Sequence, residues 1–440
     1  MPTAITEKQV LQIWQDSLQG RDDLLTEENE SVRIIYPGRR NDDRGADFKD
    51  AVITTGHEQL KGDIEIHVKA SSWRAHGHHK DPSYNRVILH VVYRNDSEKE
   101  TLLQNGARAP TLALHGYIKA DDRPALSPVI PCRNVIFHGN TGFIGGILDA
   151  AGEQRFLARA VLFKETIAQG GAGQALYQGI MTALGYSKNK RQMQELAGRM
   201  PLTKLETAAV IEMPDNEYLA QCQSLLMGAA GLLPSQRGSS YPFDGYSDNW
   251  EVELENIWAK SGERSRISVA DWRFFKVRPG NHPVRRLAAM SHLLLRYRKK
   301  GLLAGLEEKL TESGNGNTSR SLEQALMVAP DLYWGCYLDF RVPARGAAPA
   351  LIGSGRAADM VINVLLPFAY ATGPVNRSKR ALNIYRNYGA PEENALVEHM
   401  RRQLGASRAF NDGALRQQGL IHIYKTRCSE GRCGECPLNI

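Results

Sequence analysis

The chain has 440 residues, 42% of them hydrophobic, with a formal net charge of +7 and a pI near 9.0. That composition excludes a disordered polymer, and at ~150 residues per domain the length implies two or three domains. No run of ~18 apolar residues occurs, and the opening MPTAITEKQVLQIW lacks a basic-then-apolar signal pattern, so a cytoplasmic protein with no membrane association is expected.

Thr6 is placed to cap a first helix reaching about Leu18, with Val10, Leu11 and Trp14 on its apolar face. Strand patterns follow at 32–36, 48–54 and 62–69, with Thr55-Gly-His-Glu-Gln as a turn. A loop or short helix covers 71–86. An almost wholly apolar strand follows at 87–93, and a further strand is expected at 111–118. This order describes an α/β sheet with a buried central strand. Beyond about Pro124 helical periodicity takes over, at 154–169, 175–184, 190–200, 204–213, 217–232, 283–311, 357–370, 377–388 and 393–404. Residues 313–320, SGNGNTSR, read as a loop. The expected division is an α/β domain over 1–125, a mainly helical basic region over 126–425 and a cysteine-rich tail over 426–440.

Residues 62–69 read G-D-I-E-I-H-V-K. Alternation along a strand sends Ile64, Ile66 and Val68 to one face and Asp63, Glu65, His67 and Lys69 to the other. Alone, this is a half-buried strand with a wet polar face. The neighbouring strand, however, opens at Gly45-Ala46-Asp47-Phe48. An acid on one strand beside an acid and a base on the next is a layout that holds Mg²⁺ against a phosphodiester. The carboxylates ligate the hard cation, and the base assists an attacking water.

Asp47 followed by Glu65-x-His67 on a strand resembles the PD-(D/E)XK nuclease superfamily. The resemblance implies a restriction-endonuclease-like mixed sheet over roughly 1–125, with Asp47 and Glu65 as metal ligands and Mg²⁺ as cofactor. Ala46 stands where that signature has proline, and His67 where it has lysine. Lys69, two residues on and on the same face, is then a source of the ammonium. The stretches GRRNDDRGADF, GDIEIHVKASSW and HGHHKDPSYNRVILHVVY, with the W-x-FF-x-x-RP-x-N-x-P pattern at 272–283, also resemble a bacterial family of about this length to which no activity is attached.

His76, His78 and His79, with Asp81 close behind, form a second group of metal or phosphate ligands, suited to Zn²⁺. His90, inside the apolar strand, reads as a satisfied core histidine. Between Arg264 and Lys300 stand eleven Lys or Arg and one acid. Arg273, Lys276, Arg278, Arg285 and Arg286, interleaved with Trp272, Phe274 and Phe275, are the expected nucleic-acid-binding residues. Cys428, Cys433 and Cys436 form C-x4-C-x2-C, a spacing for Zn²⁺ or an iron–sulfur cluster that needs a fourth ligand such as Cys132 or a histidine. In several nucleases of the resembled superfamily one distant cysteine joins three clustered ones. The expected function is metal-dependent cleavage of DNA or RNA. Two alternatives stand beside it: an inactive nuclease-like scaffold that binds nucleic acid, and a zinc hydrolase built on the histidines.

Overall fold

The computed structural model describes residues 5–16, 18, 21–56, 58–117, 132, 141–238, 249–264, 266–311, 318–404 and 413–439. Two compact units emerge. The first comprises residues 1–153 and 393–440, the second 154–392. The division expected from sequence stopped the first domain at 125 and set 426–440 apart, so the structure draws the limits differently. Amphipathic periodicity shows that a helix is buried but not which distant surface it covers.

The first unit opens with α1 (Glu7–Asp16). Strands β1 (Leu24–Leu25), β2 (Ser31–Tyr36), β3 (Arg39–Arg40), β4 (Phe48–Thr55) and β5 (Glu58–Lys69) follow. Next come a short helix α2 (Ser72–Ala75), β6 (Val87–Arg94), β7 (Thr101–Leu102), β8 (Arg108–Ala109) and β9 (Thr111–Ala113). The main sheet runs β1-β2-β4-β5-β6-β9, with β3 also paired to β4. Its first half is an antiparallel meander, whereas β5–β6 and β6–β9 are parallel. Parallel neighbours need a crossover, and residues 70–86 provide the one between β5 and β6. Strand β5 starts four residues before the expected 62 because Gly56, at φ 56°, makes the hairpin turn earlier. The strand expected at 111–118 stops at Ala113; residue 118 lies outside the described residues.

One sheet face packs on α1. Val10 and Trp14 meet Phe48, Ile64, Ile66, Leu89 and Val91, all buried. The opposite face carries two clusters. Trp73, Val87, Leu103 and Ala109 gather near Ala46. Tyr36 and Val52 pack with residues of the later helices at 141–153, Ala395–Gln403 and Ala414–Thr426.

The second unit is mainly helical. It takes residues 154–184 of the 44-residue helical segment Thr141–Leu184, which is broken at Gly171, whose φ of 79° and ψ of 163° interrupt it at the expected gap. The segment expected as one helix over 283–311 divides into Pro283–Tyr297 and Leu302–Thr311, with Gly301 at φ 80° between them. Helix Asp215–Ala229 is buried along most of its length. Gly228 lies there because a Cβ would run into the Trp258 indole. The expected loop at 313–320 lies outside the described residues up to 317, and a helix occupies Thr318–Leu326. Among the described residues no helix is long and apolar enough to cross a membrane.

Candidate metal site on the central strand

Strand alternation holds along β5, but its polar face is not wet. Asp63, Glu65 and His67 are buried, at 1%, 5% and 1% exposure. They are covered by the crossover, which is itself tied down. Asp96 accepts from Ser71 N–H and Oγ–H at 2.9 Å each. Trp73 Nε1 donates to Leu102 O at 2.9 Å. Asp81 caps the turn at 82–84 through Ser83 N–H and pairs with Arg44 at 2.9 Å.

Asp47 and Glu65 hold each other's surroundings. Glu65 Oε2 accepts the Asp47 N–H at 3.1 Å, and Asp47 Oδ2 accepts the Ile66 N–H at 3.0 Å. Burial, then the neighbouring Glu65, pushes Asp47 up to about 7. Burial pushes Glu65 up to about 8, against the pull of the Asp47 N–H and of Lys49. Two desolvated carboxylates side by side are a cation site in waiting.

The histidines stand over them. His67 Nε2 lies 3.1 Å from His76 Nδ1, and His67 Nδ1 lies 2.9 Å from His90 Nε2. His90 Nδ1 continues to Thr101 Oγ1 at 2.9 Å, and Thr101 to Thr111 Oγ1 at 3.2 Å. His90 is thus the buried histidine that sequence suggested, and it also bonds to the site. His78 Nε2 faces Glu65 Oε1 at 3.2 Å but not in hydrogen-bonding geometry, so this buried nitrogen is unsatisfied. Its ring is wedged against Tyr84 and His67, with centroids 3.9 and 5.3 Å away. Burial and surrounding imidazoles drive His67 down to about 2, and burial with His78 drives His90 down to about 3. Both rings are therefore neutral and able to offer lone pairs. Among the described residues, His67, His76 and His78 are the group whose ligand atoms all lie within 4.8 Å of one another.

Other expected residues lie elsewhere. Lys69 is exposed, with Asp96 as a charged neighbour. His79 is half-buried and has no part in the triad, while Asp81 is engaged by Arg44 and Ser83. Sequence reading passed over Lys49 and Glu7. Lys49 Nζ pairs with Asp63 at 2.8 Å and holds Glu65 down, whereas Glu7 on α1 raises Asp47 and Glu65. The signal for Lys49 was its position two residues after Asp47; Glu7 had none. Cys132, Cys428 and Cys436 fall in a different buried cluster of the same unit.

The basic segment divides. Arg273, Lys276 and Arg278 are exposed. Arg285 and Arg286 are not available to phosphate, which corrects their place in a binding face. They are 0% and 4% exposed. Arg285 donates to the carbonyls of Trp334, Tyr337 and Pro349, and Arg286 to Leu351 O and Tyr186 Oη. Hydropathy cannot separate a solvated arginine from one that ties backbone ends together. Trp272 is core, donating to Ala230 O at 2.8 Å, while Phe275 is 55% exposed. The second unit has another concentration of cations. Burial lowers the proton affinity of Arg155, Arg159 and Lys190; Arg159 lowers Arg155 further, and Arg159, Arg155 and Arg356 lower Lys190, with Asp359 opposing. The Nε atoms of Arg159 and Arg356 are buried without hydrogen-bond partners.

The family described as "Protein of unknown function (DUF2851)" matches over residues 7–395. No curated protein and no solved structure matches the chain.

Proposed function

We propose that this chain, which belongs to the DUF2851 family, is a divalent-metal-dependent phosphodiesterase acting on nucleic acid. The observation that carries the reading is the meeting of the half-buried Asp47 and buried Glu65 carboxylates with the lone pairs of His67 on the strand and of His76 and His78 on the crossover. The unsatisfied His78 nitrogen beside Glu65 is what an ion would engage. Mixed oxygen and imidazole donors suit Mn²⁺ or Zn²⁺ better than Mg²⁺, which prefers oxygen alone. A cation held there would polarise a phosphodiester and lower the pKa of an attacking water.

The chain's own groups have separable tasks. Asp47 and Glu65 supply negative charge and fix the ion's position. With its proton on Nδ1 toward His90, and the His90 proton on Nδ1 toward Thr101, His67 would present Nε2 to the ion. Lys49, near Glu65, offsets charge that grows on the phosphate. In the reaction water adds to phosphorus and the phosphorus–oxygen bond to one sugar breaks. One water proton passes to a base of the site, and the departing oxygen takes one up. The cations gathered at Arg155, Arg159, Lys190 and Arg356 in the second unit suit a polyanionic ligand.

The test is cleavage of labelled DNA and RNA by purified protein stripped of metal and then given Mg²⁺, Mn²⁺ or Zn²⁺ in turn. Metal-dependent cleavage that vanishes in Glu65→Gln is the expected result. No cleavage of either nucleic acid with any ion, by protein that binds metal at the site, would remove this reading. A second reading, a zinc hydrolase with another substrate, is favoured by the histidine triad and would then take its place.

A further inference from the structure

Helix Ala414–Thr426 hands the chain to two consecutive tight turns, each carrying cysteine. The first is Cys428–Glu430, closed by Gly431 at φ 65°, whose N–H meets Cys428 O at 3.1 Å. Arg432 N–H returns to Arg427 O at 2.9 Å, so the loop folds back on itself. It lies flat on the sheet: a Cβ at Gly431 would stand 2.6 Å from Val52 Cγ1 of β4. Lys61 on β5 pairs with Glu430 from the same loop. The second turn is Cys433–Glu435, where Cys436 N–H meets Cys433 O at 3.1 Å and Asn439 N–H meets Cys436 O at 2.9 Å. Burial raises the Cys436 thiol, and the backbone N–H groups of Leu438 and Asn439, with Arg427, oppose that rise. N–H groups aimed at sulfur stabilise it as a thiolate.

Cys132 comes from far along the chain and packs in the same core as Cys428 and Cys436, with Met400, Tyr424 and Leu438. Cys428 and Cys436 are 4% and 8% exposed. Burial, and then the neighbouring Cys132, Cys433 and Cys436, raise the Cys428 thiol. All four are free cysteines. Among the described residues their sulfurs do not reach the 4.8 Å mutual spacing of the histidine triad. An ion at Zn–S distances of ~2.3 Å would draw them closer.

We propose that Cys132, Cys428, Cys433 and Cys436 form a four-thiolate metal centre that fastens residues 428–439 to the sheet. Four sulfur donors with no oxygen ligand select Zn²⁺ or an iron–sulfur cluster. The closed set leaves no position for substrate, so the role is structural. Removing the metal removes folding free energy from this segment.

The experiment uses the full chain. Elemental analysis with acid-labile sulfide determination is made on wild type, Cys433→Ser, and a His67→Ala, His78→Ala variant. The expected result is one equivalent of zinc, or iron matched by sulfide, that is retained in the histidine variant and lost in Cys433→Ser. The two arms tell zinc from a cluster. Cys433 is the least enclosed of the three clustered ligands, so its serine variant should remain folded by circular dichroism. If it does not, chelation of wild type reads the same site: Tm should fall, and all four thiols should become reactive to a thiol reagent. Wild type free of zinc and iron with unchanged Tm, or metal retained in folded Cys433→Ser, would overturn the centre. The histidine variant keeps this outcome separate from failure of the proposed nuclease site.

Discussion

Glu65 Oε1 lies 3.2 Å from His78 Nε2, joining the middle of strand β5 to the crossover that covers it. The other Glu65 oxygen is held by the Asp47 backbone. Glu65 therefore touches both halves of the candidate site, the carboxylate edge and the histidine cap.

Glu65→Gln and Asp47→Asn should each reduce metal-dependent cleavage on the order of 10²-fold or more. Neither should unfold the protein, because each replaces a desolvated carboxyl group with a neutral group of the same shape. Cleavage assays beside thermal melts of the metal-free variants check both halves of the expectation.

The metal-free protein should lose stability as pH rises between about 6.5 and 8. Asp47 and Glu65 are raised to about 7 and about 8 from 3.8 and 4.5. The folded state thus binds more protons than the unfolded chain in that window, so stability falls with pH. His67 and His90, held at about 2 and about 3 against 6.5, act oppositely. Their contribution is complete above 6.5 and lost as pH falls toward 3, so it does not mask the carboxylates in the upper window. Added Mn²⁺ should flatten the upper slope, as should the double variant Asp47→Asn, Glu65→Gln. A melting series in which apo wild type grows more stable from pH 6.5 to 8 would contradict this.

His90→Ala or Thr101→Val should weaken metal binding by roughly 10–100-fold without touching an ion directly. The chain from His67 through His90 to Thr101 sets which His67 nitrogen carries the proton. Metal titration followed by calorimetry measures the loss, and an unchanged affinity would reduce His90 to packing.

Lys49→Met should impair cleavage far more than Lys69→Met. Lys49 acts on Glu65 and Asp63, whereas Lys69 is exposed with Asp96 as a charged neighbour. Turnover of the two variants under one metal condition separates them.

Arg285→Ala should destabilise the second unit by ~3 kcal/mol or more, because three carbonyls lose a charged donor. The salt dependence of nucleic-acid binding should not change. Lys190→Ala, which removes an exposed cation, should do the reverse, flattening the slope by ~0.9 for the duplex phosphate it neutralises. Salt-titrated binding alongside thermal melts distinguishes a structural arginine from a lysine that grips phosphate.

Local chemistry announced much of this protein. Period-two alternation alone separated Ile64 and Ile66 from Asp63, Glu65 and His67, and the helical pattern that stopped at 169 anticipated the break at Gly171. Asp47 was recognisable because it precedes a strand that must pair with β5. These features depend on backbone geometry over a few residues, and a few residues of sequence suffice to express them. Burial of the polar face was not legible, since it required residues 70–86 to fold back over β5. Nor was the fate of Arg285 and Arg286, whose carbonyl partners lie 49 to 65 residues away. Glu7 approaches Asp47 only because α1 packs beneath the sheet, and Cys132 meets Cys428 only because residues 393–439 return to the first unit. Sequence by itself determined which side chains share a strand face; tertiary structure alone decided which faces are dry and which distant groups meet there. The reason is physical: alternation is a property of one chain segment, whereas desolvation and long-range proximity belong to the packed whole.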